Sequence, residues 1–70
     1  MNMIKVESSN LESVGYEDSQ NELYVEFKHG GTYKYLNVDK GIYDNLLIAE
    51  SKGKFFDQNI KKAGYKYTKI

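Results

Sequence analysis

Apolar and polar residues alternate through the first half of the chain, as expected of strands that bury one face. The clearest alternation sets Leu23, Val25 and Phe27 against the polar and amphipathic residues between them. A second alternating run follows at residues 31–36 and begins with the second of two adjacent glycines, Gly30 and Gly31. Residues 22–36 therefore predict a central β-hairpin.

The length of the hairpin turn decides which way Tyr33 and Tyr35 point, because side chains alternate between the two faces of a strand. A two-residue turn at 30–31 would place both tyrosines on the face of the charged residues. A three-residue turn at 28–30, with Gly30 in the left-handed conformation, places them opposite apolar residues of the first strand. The pairs are then Val25 with Tyr33 and Leu23 with Tyr35. This separation of apolar from polar side chains is the cleaner one, so we predict that the tyrosine pair lies mostly in the core.

The second half of the chain has the apolar spacing of helices. Asp39 can cap a first helix, in which one broad apolar stripe is formed by Ile42, Tyr43, Leu46, Leu47 and Ala49. Residues 51–53 interrupt this run, and Ser51 can cap a shorter helix that carries Phe56 and Ile60 on one face. Gly64 suits the C-terminal end of that helix.

The two ends of the chain are less regular. Residues 3–16 predict one or two short strands with a turn or bulge at 8–10, and residues 17–21 predict a loop. Residues 65–70 alternate again and predict either a last strand or a frayed end. With no linker or repeat, residues 1–70 are expected to form one α+β domain, in which two C-terminal helices cover one face of a small antiparallel sheet of three or four strands.

The composition narrows the possible functions. A chain of 70 residues has a small core, and ten aromatic residues are its most evident supplement. The absence of cysteine excludes disulfides, zinc–thiolate sites and thiol nucleophiles. The longest apolar stretch, residues 46–49, is too short to span a bilayer, and the first twenty residues do not resemble a secretion signal. We expect a cytoplasmic protein that does not interact with membranes.

Ten lysines balance ten acidic residues, yet the two charges lie at opposite ends of the chain. Residues 1–26 carry six acidic residues and one lysine, whereas residues 51–70 carry six lysines and one acidic residue. A basic segment of this kind is typical of a surface that binds a polyanion, but it can equally neutralise an acidic surface of the same fold. Both explanations remain open at this point.

Several short motifs in a fixed order resemble the KTSC family. This short domain occurs at the C-terminus of some lysyl-tRNA synthetases and as a free-standing bacterial protein. The matching residues are Val6 to Asn10, Val14 to Tyr16, Leu23, Val25, Phe27, Gly30, Tyr33 to Tyr35, Val38, Ala49, Ser51, Gly53, Phe55, Phe56, Ile60 and Lys61. They span residues 5–62, and the tail 63–70 extends beyond them. The resemblance implies an α+β fold, RNA binding through the connection with the synthetase, and a mainly structural role for Gly30, Tyr33, Tyr35, Ser51 and Gly53.

Lysines and tyrosines are interleaved near the C-terminus, a combination typical of sequence-tolerant RNA binders. Lysines neutralise phosphates, and flat rings stack on bases. The candidate nucleic-acid-binding residues are Lys54, Lys61, Lys62, Tyr65, Lys66, Tyr67 and Lys69. The other hypothesis is a protein-interaction adaptor or inhibitor, of bacterial or bacteriophage origin, that acts through the acidic face or an exposed sheet edge.

Catalytic and metal-binding motifs are not recognisable in the sequence. His29 has no serine, cysteine or acidic partner at a recognisable spacing. The serines are expected to cap strands and helices, and the glycines do not have the spacing of a phosphate-binding loop. We therefore expect a non-enzymatic protein without a metal or cofactor.

Overall fold

The computed structural model describes all residues from 1 to 70, which form a five-stranded sheet and two α-helices. In chain order the elements are β1 (Ile4–Lys5), β2 (Leu11–Glu17), β3 (Glu22–Phe27), β4 (Gly31–Tyr35), α1 (Lys40–Ile48), α2 (Lys52–Phe56) and β5 (Tyr67–Lys69). A π-helical segment, Asp57–Lys61, continues α2 without a break. The strands lie in the sheet in the order of the chain and are all antiparallel. The predicted α+β class is confirmed.

The predicted number of three or four strands is wrong, because both ends of the chain add a short strand to the sheet. Strand β1 has two residues and pairs with β2. Strand β5 has three residues and pairs with β4. Leu36 donates its backbone N–H to Lys66, and Ile70 donates its own to Thr32, at 2.9 and 2.8 Å. These bonds satisfy backbone groups of the β4 strand and its flank that would otherwise lie at a sheet edge, so the tail forms a strand.

The central hairpin has the predicted register, since Val25 pairs with Tyr33 and Leu23 with Tyr35. Residues 28–30 lie between the two strands, as predicted. The left-handed residue, however, is Gly31 with a φ of +83°, and the assignment of that conformation to Gly30 is wrong. Gly31 pairs with Phe27, so the reversal of the backbone is completed only at the first residue of β4.

Both predicted helices form, but the predicted side-chain cap by Asp39 is wrong, and the last turn of the second helix has π geometry. Asp39 precedes α1 without a side-chain capping bond, and Ala49 ends this helix. Ser51 caps α2, because its hydroxyl accepts the Lys54 N–H at 3.4 Å. The next turn widens into the π-helical segment, which carries Ile60 into the core. Gly64 follows with a φ of +87°, as expected at the end of a helix.

One core lies between the sheet and the helices. Eleven apolar residues are buried in it, namely Leu11, Val14, Tyr16, Leu23, Val25, Tyr35, Val38, Tyr43, Leu46, Phe56 and Ile60. Both helices therefore pack on the sheet face that carries Tyr35, as predicted. No helix has the length and apolar character needed to cross a membrane.

Tyr16 ties the sheet to the segment that leads into α1. Its hydroxyl donates to the Val38 backbone carbonyl and lies 3.1 Å from Asn21 Oδ1, while its ring stacks on that of Tyr43 with centroids 5.4 Å apart. Asn21 has a φ of +54°, and its carbonyl accepts the Val38 N–H at 2.9 Å. The loop after β2 is thus held against residue 38, which fixes where α1 begins.

Candidate functional site

The largest cleft of the molecule lies where the β3–β4 hairpin and β5 meet α2 and the π-helical segment. Its volume is about 500 Å³. We call it the aromatic cleft, because five rings line it, those of Phe27, Tyr33, Tyr35, Phe56 and Tyr67. The other lining residues are Asn10, Gly30, Asp57 and Lys61.

The five rings contact one another mainly edge to face. The Phe56 ring is centred 5.3 Å from Phe27 and 5.5 Å from Tyr35, at interplanar angles of 74° and 78°. Tyr67 lies 5.8 Å from Tyr33 and 5.4 Å from Tyr35. Tyr67 is nevertheless 60% exposed, whereas Tyr35 is only 6% exposed. The inner rings are therefore part of the core, and Tyr67 is the ring most available to a ligand.

The aromatic wall of the cleft carries little charge. Burial raises the pKa of Tyr35, and the neighbouring hydroxyls of Tyr67 and Tyr33 raise it further, so this phenol is neutral at physiological pH. The charged residues that line the cleft are Asp57 and Lys61. Asp57 also forms an ion pair with Lys62, with Oδ2 3.3 Å from Nζ. The cleft thus combines an apolar wall with one carboxylate and one exposed ammonium group.

The structure places two of the predicted nucleic-acid-binding residues in the lining of the aromatic cleft, and a third opposite one of the lining tyrosines. Tyr67 and Lys61 line it. Lys69 lies directly opposite Tyr33 in the β4–β5 ladder, and opposite residues share one face of a sheet. A Cβ added to Gly31 would lie 3.1 Å from Lys69 Cε, so the lysine side chain runs toward the hairpin turn.

The remaining candidates lie outside the aromatic cleft. Lys54 shares a separate polar hollow with Asp57 and Gln58, and Lys62 pairs with Asp57. Lys66 is exposed and supplies the backbone carbonyl that accepts from Leu36. Tyr65 is half-buried against the core and is a poorer stacking surface than Tyr67.

The basic C-terminal segment forms no ion pair with the acidic first third of the chain. The four ion pairs are Lys5–Glu12, Lys34–Glu22, Lys40–Asp18 and Lys62–Asp57. Only the last involves a lysine after residue 50, and its acidic partner belongs to the same segment. Lys54, Lys61, Lys66 and Lys69 are exposed and form no ion pair within 4 Å. Their charges therefore remain available to a polyanion.

The motif residues shape the cleft and the loop beside it. Gly30 lines the aromatic cleft together with Tyr33 and Tyr35. Gly53 faces the loop before β2 so closely that an added Cβ would lie 2.6 Å from Asn10 Oδ1. The same loop is held by Ser8, whose hydroxyl accepts the Leu11 N–H at 3.2 Å.

Four lining residues were not among the predicted site residues, namely Asn10, Phe27, Phe56 and Asp57. The two phenylalanines have the spacing of core residues, and nothing in that spacing indicates that one edge of each reaches a cleft. Asn10 belonged to a matching motif, which was its only signal. Asp57 was the single acidic residue in a basic segment, and its local contrast in charge could have drawn attention to it.

Groups of three or more histidine, aspartate or glutamate side chains that could hold a metal ion are absent. Tyr24 is half-buried on the sheet face opposite the helices. Its hydroxyl lies 3.2 Å from Glu22 Oε1, to which it donates.

Comparison with known proteins identifies the family of this fold. The profile of the KTSC domain matches residues 7–67, which include β2, the central hairpin, both helices and the start of β5. The chain belongs to the KTSC family. Its fold is similar to the crystal structure of a KTSC domain protein from Yersinia pestis, with a TM-score of 0.94, 38% identity, and coverage of 99% of this chain and 96% of that one.

Relatives of the KTSC chain are of two kinds. An uncharacterized protein of Stutzerimonas stutzeri is 39% identical over 70 residues, which are 100% of this chain and 99% of that protein. A lysine–tRNA ligase of Nostoc punctiforme is 34% identical over 59 residues, which are 84% of this chain but only 10% of the ligase. The chain is thus similar both to a whole protein of about the same length and to a small part of a much larger protein.

Proposed function

We propose that this KTSC protein is a non-enzymatic, cytoplasmic module that binds RNA through its basic C-terminal segment. The observation that carries the proposal is the group of exposed lysines without acidic partners, Lys54, Lys61, Lys66 and Lys69. Two of them lie beside Tyr67, an exposed ring. Cations beside an exposed ring supply the two interactions that sequence-tolerant RNA binding requires.

The choice of RNA rather than another polyanion rests on the relatives. A segment similar to this chain occurs in proteins named lysine–tRNA ligase, whose name includes an RNA. The chain contains no arginine, the residue best suited to reading a base or a phosphate with two parallel hydrogen bonds. We therefore expect weak selectivity for sequence and an affinity set largely by charge.

The charge of the segment predicts a strong dependence on salt. For single strands the logarithm of the binding constant falls with the logarithm of salt concentration by about 0.7 for each phosphate neutralised. Four lysine contacts give a slope of about −3, so a fourfold rise in salt weakens binding about fifty-fold.

Fluorescence anisotropy of a labelled single-stranded RNA tests the proposal. We expect binding at low salt and a loss of more than one unit of slope on combining Lys61→Gln with Lys69→Gln, since each contact contributes about 0.7. Lys5→Gln is the matched control, because Lys5 is exposed but pairs with Glu12 at the other end of the charge distribution. Absence of any anisotropy change at low salt with excess protein would refute RNA binding.

A protein-interaction adaptor or inhibitor of a bacterium or bacteriophage is the second candidate function. It is favoured by the exposed edge strand β5, whose three residues are all accessible and whose outward backbone groups can pair with another strand. Affinity capture from a bacterial host, with a chain that ends before β5 as the control, distinguishes this candidate. This candidate predicts a stable protein partner that no longer binds when β5 is removed but still binds the Lys61→Gln and Lys69→Gln variants.

A further inference from the structure

We infer that the aromatic cleft receives a single unpaired base of the bound RNA, while the flanking phosphates lie along Lys61 and Lys69. This inference rests on the proposed function and adds a ligand to the cleft. Two observations carry the inference. The exposed ring of Tyr67 lines a cleft with aromatic walls, and Lys61 and Lys69 beside it form no ion pair with an acidic residue.

The dimensions of the aromatic cleft suit a small planar group. Clefts that bind small molecules have volumes of about 300 to 1,000 Å³ and mostly apolar walls with a few polar groups. The aromatic cleft, at about 500 Å³, is at the smaller end of this range. Tyr67 is packed on one side by Tyr33 and Tyr35, which hold its ring in place, yet most of its surface faces solvent. A ring held in this way loses little conformational freedom when a base stacks on it.

The carboxylate in the cleft determines which part of a nucleotide can enter. Asp57 would repel a phosphate, whereas it can accept hydrogen bonds from the ring or exocyclic N–H groups of a base. Asn10, which also lines the cleft, offers both a donor and an acceptor. The cleft is thus suited to the uncharged part of a nucleotide.

The phosphates must then lie outside the cleft, where Lys61 at its lining and Lys69 next to Tyr33 can reach them. Lys61 belongs to the π-helical segment, and Lys69 belongs to β5, where it pairs with Tyr33 of the neighbouring strand β4. A base in a duplex is paired and stacked on both faces, so it cannot enter a cleft of this kind without being extruded. We therefore expect single-stranded RNA to bind more tightly than a duplex of the same sequence.

Nuclear magnetic resonance on the complete chain with a short oligoadenylate tests the inference directly. We expect intermolecular Overhauser effects between adenine ring protons and the ring protons of Tyr67 and Tyr33. This readout uses the unaltered protein and does not depend on the folding of a variant. The adenine probe is suitable because stacking on an aromatic ring does not require a particular base.

A pair of substitutions on β5 provides the second arm of the test. Tyr67→Leu keeps an apolar side chain but removes the ring, and we expect it to weaken binding of the single strand by about fivefold or more. Ile70→Ala is the control, because Ile70 is also exposed and follows the same strand; its effect is expected to stay below about twofold. The amide spectrum of each variant confirms that the fold is retained.

The outcomes separate the cleft from the proposed function. Base-to-ring contacts together with a specific loss in Tyr67→Leu support the inference. Salt-dependent RNA binding without base-to-ring contacts, or with duplex bound as tightly as the single strand, overturns the inference and leaves RNA binding by the lysines intact. Absence of binding to either form overturns both.

Discussion

Replacement of Gly53 by alanine is expected to destabilise the protein, although the same change normally stabilises a helix. An alanine inside a helix is favoured over glycine by about 0.5–1 kcal/mol. In α2, however, the new Cβ would lie 2.6 Å from Asn10 Oδ1, where ordinary contact begins near 3.4 Å. Asn10 would have to move by about 0.8 Å, against the hydrogen bond of 3.0 Å that Ser8 Oγ donates to it. The side chain of Asn10, held by Ser8, is thus the obstacle to the added methyl group.

The size of the effect follows from two opposing contributions. Overpacking of a tight contact costs about 1–3 kcal/mol, and the gain in helix propensity offsets about 0.5–1 kcal/mol of it. We expect Gly53→Ala to lower the free energy of unfolding by about 0–2.5 kcal/mol. In an Asn10→Ala background the obstacle is gone, and the same change should raise that free energy by about 0.5–1 kcal/mol.

Urea denaturation followed by circular dichroism measures the four proteins of this cycle, with equal slopes required for the comparison. The informative result is the reversal of sign between the two backgrounds. If Gly53→Ala stabilises the unaltered chain, or destabilises both backgrounds equally, the contact with Asn10 is not the reason for the glycine.

Three further predictions concern the tyrosines and glycines of the fold. Tyr35→Ala should cost about 3–5 kcal/mol and unfold much of the protein, whereas Tyr35→Phe, which keeps the ring, should cost less than about 1.5 kcal/mol; thermal denaturation measures both. Burial raises the pKa of Tyr16, and Asp18 with two other acidic residues raises it further. The contribution of the neutral Tyr16 hydroxyl to the free energy of unfolding is therefore complete below about pH 10 and is lost as the pH rises through the folded-state pKa. Tyr16→Phe should cost about 1–3 kcal/mol near neutral pH and make the alkaline loss of stability shallower in urea titrations. Gly41→Ala should stabilise by about 0.5–1 kcal/mol, because nothing lies within 4 Å of the added Cβ, while Gly64→Ala should destabilise because its φ is +87°.

The register of the central hairpin could be predicted from the sequence because it depends only on residues 22–36, which are close together in the chain. Apolar residues must share one face, and only one turn length places Tyr33 and Tyr35 opposite Val25 and Leu23. The position of the left-handed residue was not determined in this way. Gly30 and Gly31 are equally free of a Cβ, so the sequence allows the reversal at either, and pairing of Gly31 with Phe27 selects the second.

The aromatic cleft could be predicted only in part. Tyr67 and Lys61 were recognisable as candidates from the mixture of rings and charges near the C-terminus. Their meeting with Tyr33 depends on β5 pairing with β4, two strands more than thirty residues apart in sequence. A three-residue strand has too little alternation to predict which strand it pairs with, so the same residues equally predict a frayed tail.

The sequence by itself determined the α+β class, the hairpin register, the two helices and the separation of charge between the ends of the chain. Periodicity and composition are sufficient for these, because each depends on neighbours within a few residues or on simple counts. The tertiary structure alone decided that the basic segment lacks acidic partners from the first third, and that Tyr67 stands at the mouth of a cleft beside Asn10 and Asp57. These features arise from contacts between segments distant along the chain, and such contacts are set by packing of the whole core rather than by any local pattern.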